Sequence, residues 1–338
     1  FFGILFSVLF ACKKDKPEQS AQPNISIGTG GVYITNEGNF LFGNAGVSYY
    51  DQTQSAVTED LFQPANNRLL GDVCQSMCLF NGKAYLVINN SNKIEVVNPN
   101  TFVSSAIITG FISPRYFLPV SNNKAYVTEL TSNNIAIVDL SNNIIKGYIP
   151  CAGWTEELIS AYGKVYVTNQ RRDKVYVINA SADMLTDSIP VGYASNSIKE
   201  DKNGKLWVLC GGSQTNNINA SLHRINPLTN HVEQSFWFPD LNQHPWRLDI
   251  NGTNDTLYFL NNGVYRMPIN SATLPVAPFI SQNGNNFYGL GIDPVNSIIY
   301  VADAVDYVQK GVIYRYKADG TFINKFLAGI IPGDFYFK

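Results

Sequence analysis

One short phrase returns seven times along the chain, an aromatic residue inside a run of β-branched neighbours. Its anchors are Tyr33, Tyr85, Tyr126, Tyr166, Trp207, Tyr258 and Tyr300, in Val-Tyr-Ile-Thr, Ala-Tyr-Leu-Val, Ala-Tyr-Val-Thr, Val-Tyr-Val-Thr, Leu-Trp-Val-Leu, Leu-Tyr-Phe-Leu and Ile-Tyr-Val-Ala, and successive anchors lie 40 to 52 residues apart. A period near 40 with several short strands per unit is that of β-propeller blades. No unit of this size buries both faces of its sheet alone, so neighbours must stack radially around a channel. The repeat predicts an all-β fold, a seven-bladed β-propeller of four-stranded blades.

One unit shows the grammar. Residues 164–169 and 174–179 alternate as strands around a turn, a third strand runs over 185–191, and residues 197–200 open the next blade as its innermost strand. Asn81-Gly82 and Asn203-Gly204 precede anchors and suit the tight turn from innermost to second strand. Counted this way, the first unit supplies residues 32–35, 47–50 and 57–62 but no innermost strand, and the chain ends with a spare strand, 334–338. The C-terminal strand is therefore expected to complete the N-terminal blade and remove both open sheet edges.

The chain of 338 residues carries 24 Lys and Arg against 26 Asp and Glu, so it has no basic footprint for phosphates, and nucleic acid is not an expected partner. Because the repeat runs from Gly30 to the end, residues 30–338 read as one propeller. Phe1 to Ala11 is apolar apart from Ser7 and meets Cys12, followed at once by Lys13 and Lys14. Residues 1–11 read as the h-region of a lipoprotein signal cut short at its start, with Cys12 as the lipidated residue and residues 12–29 as that residue and a polar tether. The apolar run is too short to span a bilayer, so membrane contact is expected through the lipid anchor alone.

Cys74 and Cys78 resemble a ligand pair. In a strand, however, four residues span roughly 13 Å, beyond the roughly 7 Å reach of a disulfide, so they read as small buried side chains. His223, His231 and His244 have no zinc spacing, and the first two flank a turn at 226–230, where a solvated position is expected. No metal and no cofactor is expected. A GxSxG nucleophile and a P-loop are also missing, and the chain reads as a binding protein, not an enzyme.

Loops from second to third strand, and from each outermost strand to the next blade, open on one end of the channel. The inter-blade loops bring Arg115, Tyr116, Trp154, Glu156, Glu157, Tyr193, Trp246, Arg247 and Tyr288 there. The intra-blade loops add Asn36, Glu37, Phe40, Asn89, Glu129, Asn169, Asp303 and Tyr307. Aromatic faces, two arginines and scattered amides and carboxylates suit a large, partly apolar ligand bearing amides or phosphate. Taken singly, any of these aromatics could equally wedge between blades.

Ala125-Tyr126-Val127-Thr128 and Val165-Tyr166-Val167-Thr168-Asn169 resemble the YVTN class of YncE-like propellers. The stretches from Tyr33 to Phe40, Ser113 to Tyr116 and Tyr300 to Ala304, with the ending Gly329-Ile330-Ile331-Pro332-Gly333, resemble surface lipoproteins of Bacteroidetes. BtuG-type members of that group capture cobalamin and related corrinoids and pass them to a TonB-dependent transporter. The resemblance thus implies an outer-membrane, cell-surface lipoprotein, a corrinoid ligand and such a transporter as partner. A protein- or glycan-binding propeller and a lactonase-like hydrolase with a loop-bound metal are the alternatives. The resemblance assigns no single ligand contact, so the candidate residues rest on loop position and chemistry.

Overall fold

A computed structural model describes residue 27 and residues 30–338, so Cys12 and the proposed signal lie outside the described residues. The described residues form seven antiparallel four-stranded sheets. Their innermost strands neighbour one another in a closed ring: Pro332–Phe337 in blade 1, Cys74–Phe80 in blade 2, Pro114–Ser121 in blade 3, Thr155–Ala161 in blade 4, Ser195–Glu200 in blade 5, Trp246–Ile250 in blade 6 and Phe287–Ile292 in blade 7. Blade 1 is closed as the sequence implies, with the C-terminal strand pairing antiparallel to Gly31–Asn36 through Val32 with Phe337 and Ile34 with Phe335.

The repeated anchors explain why the phrase carries an aromatic. Each lies buried in the second strand of its blade, and several reach across to the outer turn of the next blade. Tyr33 donates its hydroxyl to the Pro99 carbonyl at 2.8 Å, and Tyr166 donates to the Pro227 carbonyl at 2.8 Å and to Asn230 Oδ1 at 3.0 Å. Tyr126 donates to Asp183 in the same manner. The ring thus fills the space between sheets while its polar tip stitches one blade to the next.

Three sequence expectations are corrected. The third strand of blade 1 is only Ala56–Thr58, and Phe62–Asn66 is a short helix instead of strand. Asp60 Oδ1 accepts from the amides of Phe62 and Gln63, which turns the chain and drops Leu61 and Phe62 into the core. The expected strand 334–338 begins earlier, at Pro332. His223 is not solvated: it is buried within the strand Ser221–Asn226. Its Nε2 accepts from the Gly192 amide at 2.9 Å and its Nδ1 lies 2.9 Å from Ser235 Oγ. Burial pulls its pKa down to about 4, so the ring is neutral at physiological pH. Cys74 is buried, Cys78 is partly so, and both are free thiols. Among the described residues no helix is long and apolar enough to cross a membrane.

Candidate ligand-binding site

The site is built by a device that recurs in every blade. Near its start each innermost strand breaks register with the second strand, so that extra residues are extruded from the ladder. The extruded residues are Gln75, then Arg115 and Tyr116, Glu156 and Glu157, Asn196, Arg247 and Leu248, Tyr288, and Gly333 and Asp334. Bulges re-aim side chains, and here all seven aim toward the axis. Gln75, Arg115, Tyr116, Glu156, Glu157, Asn196, Arg247 and Tyr288 line one cavity of about 500 Å³ at the mouth of the channel. Asp334 lines a second chamber of about 440 Å³ below it, and Tyr116, Glu157 and Arg247 border both.

Backbone conformation marks the same places. Val73, Gly153, Ala194 and Ile331, each just before an innermost strand, and Arg247 within one, have φ between 52° and 109°. For Val73, Ile331 and Arg247 that left-handed conformation is strained, and it persists because the bulge and its hydrogen bonds hold it.

Two buried ion-pair clusters organise the mouth. Arg115 donates from Nε to Glu156 Oε2 at 2.9 Å and from Nη2 to Oε1 at 2.5 Å, and its Nη1 donates to Gln75. Trp154 donates its indole N–H to Glu156 Oε2 at 2.6 Å, with the Arg115 guanidinium 5.5 Å from its ring centre. On the far side, Arg247 donates from Nη1 to Asp334 at 3.0 Å and to the Tyr116 hydroxyl at 3.3 Å, while Nη2 stands 3.9 Å from Glu37 Oε1. Tyr288 donates to Glu37 Oε1 at 2.8 Å and meets the Trp246 ring edge to face at 4.9 Å. Burial raises the pKa of Glu37, opposed by Arg247 and by the Tyr288 hydrogen bond. Burial pushes Glu157 up to about 7, opposed by Lys199 at 4.0 Å and by the Ile198 amide, which donates to it at 3.0 Å.

Of the sequence candidates, Glu37, Phe40, Asn89, Arg115, Tyr116, Trp154, Glu156, Glu157, Trp246, Arg247 and Tyr288 line the mouth together. Asn36, Glu129, Asn169 and Asp303 do not. These four share one repeat position at the end of the second strand, and Asn89 follows one residue beyond it; the polar atoms of all five clamp an incoming backbone. Asn36 accepts from the Gly329 amide, Glu129 from Ile112 and Ser113, and Asp303 from Asn286, while Asn89 donates to the Pro114 carbonyl and Asn169 to that of Ala152. A buried polar group at a connector satisfies backbone first. Tyr193 stands outside the lining, and Tyr307 touches it indirectly, edge to face with Tyr288 at 5.9 Å. Sequence reasoning missed Gln75, Asn196 and Asp334. The signal that marks them is position, two or three residues after a left-handed residue at a blade entrance.

The fold is shared widely among solved structures. A quinonprotein alcohol dehydrogenase-like protein from Bacteroides thetaiotaomicron aligns with a TM-score of 0.71 at 14% identity, over 91% of this chain and 78% of that one. A candidate 6-phosphogluconolactonase from Bacteroides fragilis aligns with a TM-score of 0.69 at 11% identity, over 96% and 100% of the two chains. Hydrazine synthase from Kuenenia stuttgartiensis aligns with a TM-score of 0.59 at 13% identity, over 75% and 85%. At these identities the likeness is one of fold. No curated protein matches the chain in sequence. One family model, that of a domain of unknown function, matches residues 30–329.

Proposed function

The chain belongs to the DUF5074 family, and we propose that it binds a small organic molecule at the mouth of its channel, with a corrinoid as the first ligand class. In this reading Cys12 anchors it to the outer membrane at the cell surface, and the captured molecule passes to a TonB-dependent transporter. The observation that carries the binding role is convergence: bulges in six different innermost strands direct side chains into one cavity. Its volume falls within the ~300–1,000 Å³ of small-molecule sites, and aromatic walls with a few fixed polar groups are their usual lining. Trp154, Trp246, Tyr288 and Phe40 offer faces and edges to a planar macrocycle, while Gln75, Gln170 and the carboxylates suit the amides at its rim.

Calorimetry with cyanocobalamin, cobinamide and haem tests the ligand class. Trp154→Ala and Trp246→Ala are each expected to weaken binding by about 1–3 kcal/mol, the range of a buried anchor; melting should be nearly unchanged for Trp246→Ala and lowered for Trp154→Ala, which takes a donor from the buried Glu156 Oε2. Arg115 is unsuited to this test, because its removal would leave Glu156 buried and unpaired, a change worth about 3–5 kcal/mol of stability. Absence of heat with all three ligands would turn the reading toward protein or glycan binding at the face around the mouth. That second reading draws on Phe40, Leu41 and Phe42, three consecutive exposed side chains beside the mouth.

A further inference from the structure

In sequence the two arginines of the mouth suggest an anion clamp. The structure shows both engaged: three nitrogens of Arg115 donate to Glu156 and Gln75, and Arg247 is held by Asp334 and the Tyr116 hydroxyl with Glu37 alongside. Around the mouth and the chamber below it stand three cations, Arg115, Arg247 and Lys199, against five carboxylates, Glu37, Glu156, Glu157, Asp249 and Asp334. Lys199 lies between Glu157 at 4.0 Å and Asp249 at 3.7 Å, so the third cation is engaged as well. Glu37 accepts through Oε1 and Glu157 through Oε2, which leaves each with a second oxygen for a ligand. Burial raises the carboxyls of Glu37, Glu157 and Asp249, Glu157 to about 7, so the excess of negative charge develops fully only at alkaline pH, where they ionise.

From this arrangement we infer that the mouth selects a ligand of neutral or positive net charge that presents N–H or O–H donors, and discriminates against ligands of net negative charge. The inference rests on the reading of the mouth as a small-molecule site and names the charge class that site accepts. An added anion would meet carboxylates that already outnumber their partners, in a cavity where Coulomb repulsion is weakly screened. A ligand ammonium or amide instead finds the open carboxylate oxygens of Glu37 and Glu157.

Two matched pairs of probes test it. Cobinamide and cobinamide phosphate share one ring and differ by the anion, and calorimetry at pH 8 is expected to show the phosphate form binding at least tenfold more weakly. Glu37→Gln and Glu157→Gln should each narrow that ratio to about threefold or less. Equal affinities, or tighter binding of the phosphate form, would overturn the inference. Tryptamine and indole-3-propionate form the second pair, read by ligand-observed NMR. Saturation transfer to tryptamine and little to indole-3-propionate supports the charge rule, and the reverse overturns it. If neither corrinoid binds but tryptamine does, the corrinoid reading fails while the charge rule stands. Silence of all four probes overturns both.

Discussion

Glu157 is the residue at which the electrostatics of the channel become measurable. Its carboxyl is extruded by the bulge of blade 4 and held at about 7 by burial, with Lys199 and Arg247 pulling down and Asp334 pushing up. Free in an unfolded chain it titrates near 4.5. The folded state therefore binds the proton more tightly, so between pH 4.5 and 7 the contribution of this group to stability falls as pH rises, and it levels off above 7. With 15% of the side chain still exposed, the loss amounts to about 1–2 kcal/mol, less than the full shift implies. Glu157→Gln removes the titration, so its melting temperature relative to wild type should rise between pH 5 and pH 8 in calorimetric scans. A constant difference across that range would show that Glu157 titrates normally. At this scale the sequence was a partial guide. Which loops carry polar and aromatic groups could be read from their composition. Whether a given carboxylate faces the channel, like Glu156, or clamps a connector, like Glu129, depends on one residue of register that no pattern of apolar positions records.

The blade is the element in which sequence and structure agree best, because a strand with period-two burial and an anchor every 40 or so residues leaves a strong trace. The exceptions have local causes. In blade 1 the Asp60 side chain diverts the third strand into a helical turn, and in blade 6 the outermost strand shrinks to Ile280–Ser281. His223 was misplaced because proximity to a turn says nothing about which face of a strand a residue occupies. The bulges that make the site were invisible for a related reason: an extra residue near the start of a strand looks like ordinary loop sequence. The stitch from Tyr166 to the outer turn of blade 5 lends itself to a direct test. Tyr166→Phe keeps the ring and its packing but removes one of two donors from the Pro227 carbonyl and Asn230 Oδ1, to which Lys164 Nζ also donates at 3.2 and 3.0 Å. A loss of about 0.5–1.5 kcal/mol in denaturant unfolding, with an unchanged m-value, is expected for one hydrogen bond whose acceptors keep another donor. No loss would mean that the anchors act by volume alone.

Across the whole molecule, closure of the ring and construction of the site meet in a single strand. Pro332–Phe337 supplies the innermost position of blade 1 and packs Phe335 and Phe337 against Tyr300 of blade 7, with ring centres 5.7 and 5.4 Å apart. The same strand extrudes Asp334, the partner of Arg247. Its removal would therefore expose the edge of Gly31–Asn36, strip apolar cover from the seam between the last and first blades, and leave a guanidinium buried without its carboxylate. Deletion of residues 332–338 is expected to abolish the single cooperative melt of the full chain, or to lower it by many degrees with aggregation. Asp334→Asn separates the two contributions, because it keeps the strand and its pairing while removing the charge. That variant should still melt cooperatively, at a temperature lower than wild type but well above that of the truncation, and circular dichroism at a strand-sensitive wavelength would follow all three proteins. If the truncated chain melted like the full one, the ring would have to close through some strand other than its last. If Asp334→Asn fell as far as the truncation, the ion pair with Arg247, and not the seventh closing strand, would be what holds the ring together.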